Sequence, residues 1–265
     1  MRAALKIAYD GTKFQGYAMQ PNQITIEGEI LKNLVKIRAI KNIKEEKFQS
    51  SSRTDRGVSA AGNVIAFNTS KCIKKIALSL NSLLDNIWIK SIAEINKDYN
   101  IRHAKMRWYR YYLANNQLDI KKIKNAADLF VGIHDFSNFS KKEKKERVRE
   151  ISHINISPGN KFIIIDIKAQ NFLWNQVRRI IAALERVGIK KISISDISEA
   201  LDDPSSHINL GIVPPENLLL MDIMYKDIDF RELSQLSPSL ITRSNYYWVK
   251  AFMFDEMKTN RNVHY

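Results

Sequence analysis

The chain has 265 residues, 45% of them hydrophobic, enough for one large domain or two modest ones with real cores. No apolar stretch approaches bilayer-crossing length, Met1-Arg2-Ala3-Ala4-Leu5-Lys6 lacks a signal-peptide core, and the single cysteine, Cys72, excludes an internal disulfide and gives no metal-ligand spacing. Lys plus Arg number 42 against 28 Asp plus Glu, a net charge of +14, which favours a polyanionic partner because neutralised phosphates release counterions, although a Lys-rich genome produces the same excess. The expectation is a soluble, cytoplasmic protein.

Leu5, Ile7 and Tyr9 alternate with Ala4, Lys6 and Ala8, which predicts a strand ending at the turn Asp10-Gly11. Thr25 can cap a helix with Glu27 and Glu29 in its first turn and Ile26, Ile30, Leu31, Leu34 and Val35 on one face. A polar stretch holding Arg53-Thr54-Asp55-Arg56-Gly57 follows, then a buried strand over Val64 to Phe67. Ile76, Ala77, Leu80, Leu83 and Leu84 mark a second amphipathic helix, and Trp88 to Ile95 a further strand.

The alternation recurs with a strand at Trp108 to Ala114 and a helix carrying Ile123, Ala126, Ala127, Phe130 and Val131. Two strands, around Val148 to Ile156 and Phe162 to Lys168, are joined at the turn Ser157-Pro158-Gly159-Asn160. Val177, Ile180, Ile181, Leu184 and Val187 fall at helical spacing, Ser193-Ile194-Ser195-Asp196 is a capping pattern, and Leu218 to Tyr225 closes as a strand. The pattern predicts an α+β fold with two halves meeting near residue 100, joined by a shared sheet or a tight interface. The charge run Lys141-Lys142-Glu143-Lys144-Lys145-Glu146-Arg147 reads as a solvated surface segment, with phosphate contact as the alternative. Core packing is the first expectation for the aromatic cluster Tyr246-Tyr247-Trp248, Phe252 and Phe254, with a dimer contact or a stacking surface as alternatives.

Three segments carry chemistry. Asp55 stands between two guanidinium groups, which should favour its charged form and suit a nucleophile or base; taken alone, the segment reads more readily as an Asx turn with incidental arginines. In a strand, Arg107, Tyr109 and Tyr111 share one face and Trp108, Arg110 and Tyr112 the other. A face of guanidinium and phenol groups suits an extruded base, and an ordinary aromatic strand has the same pattern. Arg178, at the edge of an apolar helix face, either reaches solvent or is held inward by a carboxylate.

Taken in order, these segments resemble the TruA family of tRNA pseudouridine synthases over nearly the whole chain. The resemblance runs from Tyr9-Asp10-Gly11, Phe14, Gly16-Tyr17, Gln20-Pro21, Thr25 and Gly28 to Arg53-Thr54-Asp55, then Ala104 and Arg107-Trp108-Tyr109-Arg110-Tyr111. It continues through His134-Asp135-Phe136, Phe139, Phe172-Leu173, Val177-Arg178, Val187-Gly188 and Pro214-Pro215 ahead of Leu218. Arg56 and Ser59 stand where bacterial members usually carry Ala and His, as in archaeal and eukaryotic members; Ala182 and Asn217 replace glycines. From about Lys226 onward the likeness fades.

The resemblance implies two ferredoxin-like or RRM-like halves, 1–100 and 101–265, sharing a central, mostly antiparallel sheet flanked by helices, with the catalytic cleft between them. It implies a homodimer acting on tRNA, in the anticodon stem-loop, with no metal and no cofactor. By the same likeness Asp55 is the catalytic carboxylate and Tyr109 packs on the target base. Arg178 pairs with Asp55, and Arg53 helps displace the base. Rival readings are a pseudouridine synthase with another site choice and a non-catalytic tRNA-binding or chaperone protein. A generic RRM module is disfavoured because no segment fits its Gly-Phe-Gly-Phe pattern.

Overall fold

The structure, a computed structural model, describes residues 1–141, 146–205, 209–233 and 237–258. In chain order the elements are β1 (Arg2–Tyr9), α1 (Ile26–Lys36), β2 (Gln49–Ser50), β3 (Ser59–Asn68), α2 (Ile73–Leu83) and β4 (Ile87–Ile95). They continue with β5 (Met106–Ala114), α3 (Ile120–Asp128), β6 (Gly132–Asp135), β7 (Val148–Pro158), β8 (Phe162–Ala169) and α4 (Gln176–Gly188). The chain then forms α5 (Ile194–Asp202), β9 (Leu218–Met224), β10 (Arg231–Glu232) and α6 (Pro238–Lys258). A one-turn 3₁₀ helix, Gly11–Lys13, follows β1. Residues 142–145 of the expected charged surface segment lie outside the described residues.

One ten-stranded sheet runs in the order β10-β4-β1-β3-β9-β5-β8-β7-β6, with β2 paired to β3 off this path. Every pairing among the described residues is antiparallel except β3 with β9, whose two rungs are Ser59 to Leu219 and Ala60 to Leu220. The expected mixed α+β architecture with a central sheet and flanking helices is therefore present. β10 closes the outer edge of β4, so the segment after β9 returns to the first part of the sheet.

Two apolar clusters flank this joint. The first gathers Leu5 and Ile7 of β1, Ile65 and Phe67 of β3, Ile87 of β4 and the inner faces of α1 and α2. The second gathers Tyr111 of β5, Ile163, Ile165 and Ile167 of β8 and the inner faces of α3, α4 and α5. Val58, just before β3, packs in the second cluster, while Leu220 and Ile223 of β9 pack in the first. Burial of apolar area on both sides thus locks the joint as well as the layers.

Local signals explain the helix starts. The Thr25 hydroxyl accepts from the Gly28 amide at 3.2 Å, and Ser193 with Asp196 forms a reciprocal capping box. Val35 was expected on the buried face but is exposed, because it lies about 100° past Leu34 on the helix, beyond the stripe that Ile26, Ile30 and Leu34 bury. Leu83, in the last turn of α2 at the margin of its stripe, is exposed too. α3 ends at Asp128, so Phe130 is buried from the following turn and Val131 faces out. β7 runs through Pro158, which puts Ser157 and Pro158 in the strand rather than in the turn.

The expectation of core packing for the C-terminal aromatics is corrected. Trp248 is 75% exposed and Phe252 67% on α6. The apolar side chains of this helix point around its whole circumference, leaving no single stripe for the body to cover. α6 meets the body through polar contacts: Trp88 Nε1 donates to Ser239 Oγ at 2.8 Å, Arg243 pairs with Asp85 at 3.2 Å, and Lys161 pairs with Asp255. No helix among the described residues is long and apolar enough to cross a membrane.

Candidate active site

The loop entering β3 carries Asp55. Asn63, wholly buried in β3, donates to the Ser52 carbonyl at 2.9 Å and to the Tyr9 hydroxyl at 3.2 Å. Tyr9 in turn meets the Thr54 hydroxyl at 2.8 Å, so the residue preceding Asp55 is anchored to the end of β1. Val58 N–H closes a turn on the Asp55 carbonyl at 3.1 Å, and Gly57 adopts φ +86°, the left-handed region where a side chain is costly. Gly11 lies against Val58 so closely that a Cβ there would run into the Val58 carbonyl.

From the other part of the sheet, the first turn of α4 brings Arg178. Its Nη1 lies 3.4 Å from Asp55 Oδ2 and 3.4 Å from Asn175 Oδ1, while its Nε donates to the Val213 carbonyl at 2.9 Å. Both partners of the ion pair are sheltered, with side chains 14% and 24% exposed. Arg178 is therefore held inward by a carboxylate, the second of the two alternatives open in the sequence.

The environment of Asp55 differs from the expectation built on its neighbours. Arg53 and Arg56 are exposed, and Arg178 is the arginine that pairs with Asp55. Burial pushes the Asp55 carboxyl above its ordinary value; the Arg178 charge and hydrogen bond, a Trp174 hydrogen bond and the Lys141 charge oppose this. Burial thus outweighs the cationic neighbours, the reverse of the balance expected from a carboxylate between two guanidinium groups.

Tyr109, half-buried in β5, lies edge-on to Phe172 with ring centroids 5.4 Å apart. Burial pushes its phenol up to about 12, with Arg107 opposing and Asp55 reinforcing the shift, so it stays protonated at neutral pH. Asp55 thus pairs with Arg178 and lies near enough to Tyr109 for its charge to act on the phenol, whereas Arg53 makes no ion pair among the described residues.

Arg107 does not offer its guanidinium to a base. It is 8% exposed and engaged by oxygen atoms: Nε donates to Ser52 Oγ at 2.9 Å, and Nη2 to the carbonyls of Ser51 at 3.1 Å and Arg102 at 3.0 Å. Nη1 donates to the Gln170 carbonyl. Arg107 ties the Asp55 loop to the segment leading into α4. Arg107→Met should lower stability by about 2–4 kcal/mol by leaving buried carbonyls unpaired, to be read from the denaturation midpoint at constant slope. A midpoint within error of wild type would contradict the tie.

Sequence reasoning gave Trp174 and Asn175 no role and read Lys141 only as part of the charged run, so their nearness to Asp55 and Arg178 was missed. Trp174 and Asn175 sit in the loop before α4 and Lys141 between β6 and β7, where no periodicity signals a return toward a carboxylate so distant in the chain.

A family model described as tRNA pseudouridine synthase matches residues 126–226. A tRNA pseudouridine synthase A from Thermococcus sibiricus is 42% identical over 262 residues, covering 97% of this chain and 98% of the relative. Its counterpart from Pyrococcus abyssi is 44% identical over 232 residues, 87% of each chain. The Pyrococcus furiosus protein is 40% identical over 98% of both. Among solved structures, an archaeal box H/ACA sRNP Nop10-Cbf5 complex matches at TM-score 0.32 and 12% identity, over 70% of this chain and 42% of that one, too distant to carry detail. The sequence similarity places the chain in an isomerase class that makes pseudouridine from uridine. The chain belongs to the tRNA pseudouridine synthase A family.

Proposed function

We propose that this chain isomerises uridine to pseudouridine in the anticodon stem-loop of tRNA, with Asp55 as the catalytic carboxylate. The observation that carries the reading is the Arg178–Asp55 pair at 3.4 Å, formed beside Tyr109 from opposite parts of the sheet. The N1–C1′ bond breaks, the uracil turns, and a C5–C1′ bond forms; C5 releases its proton to solvent and N1 takes one up. The two sides balance without an oxidant or reductant, so the chemistry calls for no cofactor.

An ionised Asp55 either attacks C1′ or removes a ribose proton, and both routes need a carboxylate held in place. Arg178 supplies that hold, and the Tyr109 ring, backed by Phe172, gives the turning base an apolar wall. Exclusion of water matters because water adding at C1′ while the base is detached would leave an abasic site. Arg53, exposed beside the loop, is assigned to keeping the base out of its stack. The chain is read as two ferredoxin-like halves, 1–100 and 101–265, supported by the two apolar clusters. It acts in the cytoplasm as a homodimer, and its charge of +14 suits a tRNA spread over two subunits.

The test is tritium release from C5-labelled uridine in a tRNA transcript, followed by mapping of the modified positions. Release with pseudouridine in the anticodon stem-loop is expected. Pseudouridine elsewhere would keep the chemistry and change the substrate; no release from any tRNA would leave a binding protein.

A further inference from the structure

No other described element exposes as many large apolar side chains as α6. Its polar contacts place it along one end of the sheet. Ser239 meets Trp88 of β4 and Arg243 meets Asp85 just before that strand. The Tyr247 hydroxyl donates to Asp10 Oδ2 at 3.4 Å, just after β1, and Asp255 meets Lys161 ahead of β8. β1 ends there and β4 and β8 begin there, at the same end where the Asp55 loop enters β3. At 100° per residue, Arg243, Tyr247 and Asp255 turn toward that end, while Ile241, Tyr246, Trp248, Val249, Phe252 and Met257 turn away. Those six are 48% to 75% exposed. A whole aromatic side chain covers ~150–250 Å², so the three outward rings alone leave roughly 400 Å² open. Ile241, Val249 and Met257 enlarge this patch beyond the usual ~300–600 Å² of a monomer, toward the ~800 Å² that each partner gives to a stable complex.

We propose that a second copy of this chain covers the patch, its α6 lying antiparallel on this one about a two-fold axis through Val249. The inference deepens the homodimer reading given above and rests on it. A two-fold interface must be complementary to itself. Val249 lies near the middle of α6 and at the centre of its outward side, so on the axis it meets its own counterpart. Three positions to either side, Tyr246 faces Phe252; eight to either side, Ile241 faces Met257. Seven to either side, Thr242 faces Glu256, so apolar groups meet apolar ones and polar groups meet polar ones. Other covers fit less well. α6 is not apolar enough to cross a membrane, and RNA calls for outward cations. Arg243 is paired with Asp85, and Lys250 Nζ lies over the Tyr246 ring, 5.6 Å from its centroid. Both Asp55 loops then lie at the sheet ends that the paired helices join.

The test is sedimentation equilibrium of the full chain without RNA. Wild type is expected at twice the 30.7 kDa of one chain. Val249→Glu should weaken the dimer at least about 100-fold, because two carboxylates then meet on the axis. Val249→Lys should do the same. An equimolar mixture of the two variants should recover the dimer mass, since only a residue on the axis meets its own counterpart. Val249 is 59% exposed in the single chain, so each variant should keep the wild-type circular dichroism. A dimeric Val249→Glu would overturn the α6 interface, and monomers that stay monomers on mixing would overturn the pairing about Val249. A dimeric Val249→Glu with weakened binding of a tRNA transcript would assign the helix to RNA instead. A monomeric wild type would remove the homodimer reading itself, and this inference with it.

Discussion

Asp55→Ala should reduce tritium release from a C5-labelled tRNA transcript by at least about 10³-fold while leaving tRNA affinity within a few-fold, because affinity comes mainly from phosphate contacts. The side chain is small and its loop is held by groups other than the carboxylate: Thr54 by Tyr9, Ser52 by Asn63 and Arg107. The loss should therefore be chemical rather than structural. Asp55→Asn sharpens the point, since it preserves shape and removes charge.

Stability should move in the opposite direction. Burial raises the Asp55 pKa above its unfolded value, so its contribution to stability is fully present at pH below the ordinary carboxylate value and is lost as pH rises through the raised folded value. At neutral pH the ionised group therefore burdens the fold. Asp55→Asn is expected to melt at or slightly above the wild-type temperature at neutral pH, with the difference vanishing in acid. Appreciable turnover by Asp55→Ala, or a large drop in melting temperature with Asp55→Asn, would sink the assignment.

Arg178→Ala should cost about 10²-fold in kcat, or roughly 2–3 kcal/mol, somewhat less than removal of one partner from a fully buried pair. The same truncation frees the Val213 carbonyl, which accepts from Arg178 Nε, and so loosens the stretch before β9 whose Pro215 packs against Gly57. The acid limb of the pH profile is the diagnostic. The role proposed for Asp55 requires it ionised, its pKa already lies above the ordinary value, and Arg178 is the strongest influence holding it down. Without the guanidinium the limb moves further toward neutrality. Arg178→Lys should recover part of the rate but less than a planar fork would, since an ammonium cannot hold both Asp55 and Val213. Equal losses in catalysis and RNA binding, with an unmoved acid limb, would contradict a positioning role.

What the sequence made legible was local. The Thr25 and Ser193 caps and the β7–β8 hairpin are set by residues a few positions apart, and they form as expected. β2, β6 and β10 escaped notice because two to four residues are too few to show a period. Contacts between distant segments left no periodic trace: the parallel joint of β3 with β9 and the Arg107 tie. The pairing of Arg178 with Asp55 was expected from family likeness, while spacing alone left Arg178 undecided. The aromatic run of α6 misled for a different reason, since hydrophobic content without a one-sided pattern does not show what a helix will cover.

The two rungs of β3 with β9 have a mechanical meaning. Asp55 lies immediately upstream of that joint and Tyr109 sits beside Leu220 next to it. If the sheet flexes there, the joint is the fulcrum and β10 and β6, at the far ends of the strand order, are the tips of two lever arms. Displacement grows with distance from a pivot, so a bend of the sheet there moves those tips most. The separation of Asp55 from Tyr109, set close to the pivot, changes least.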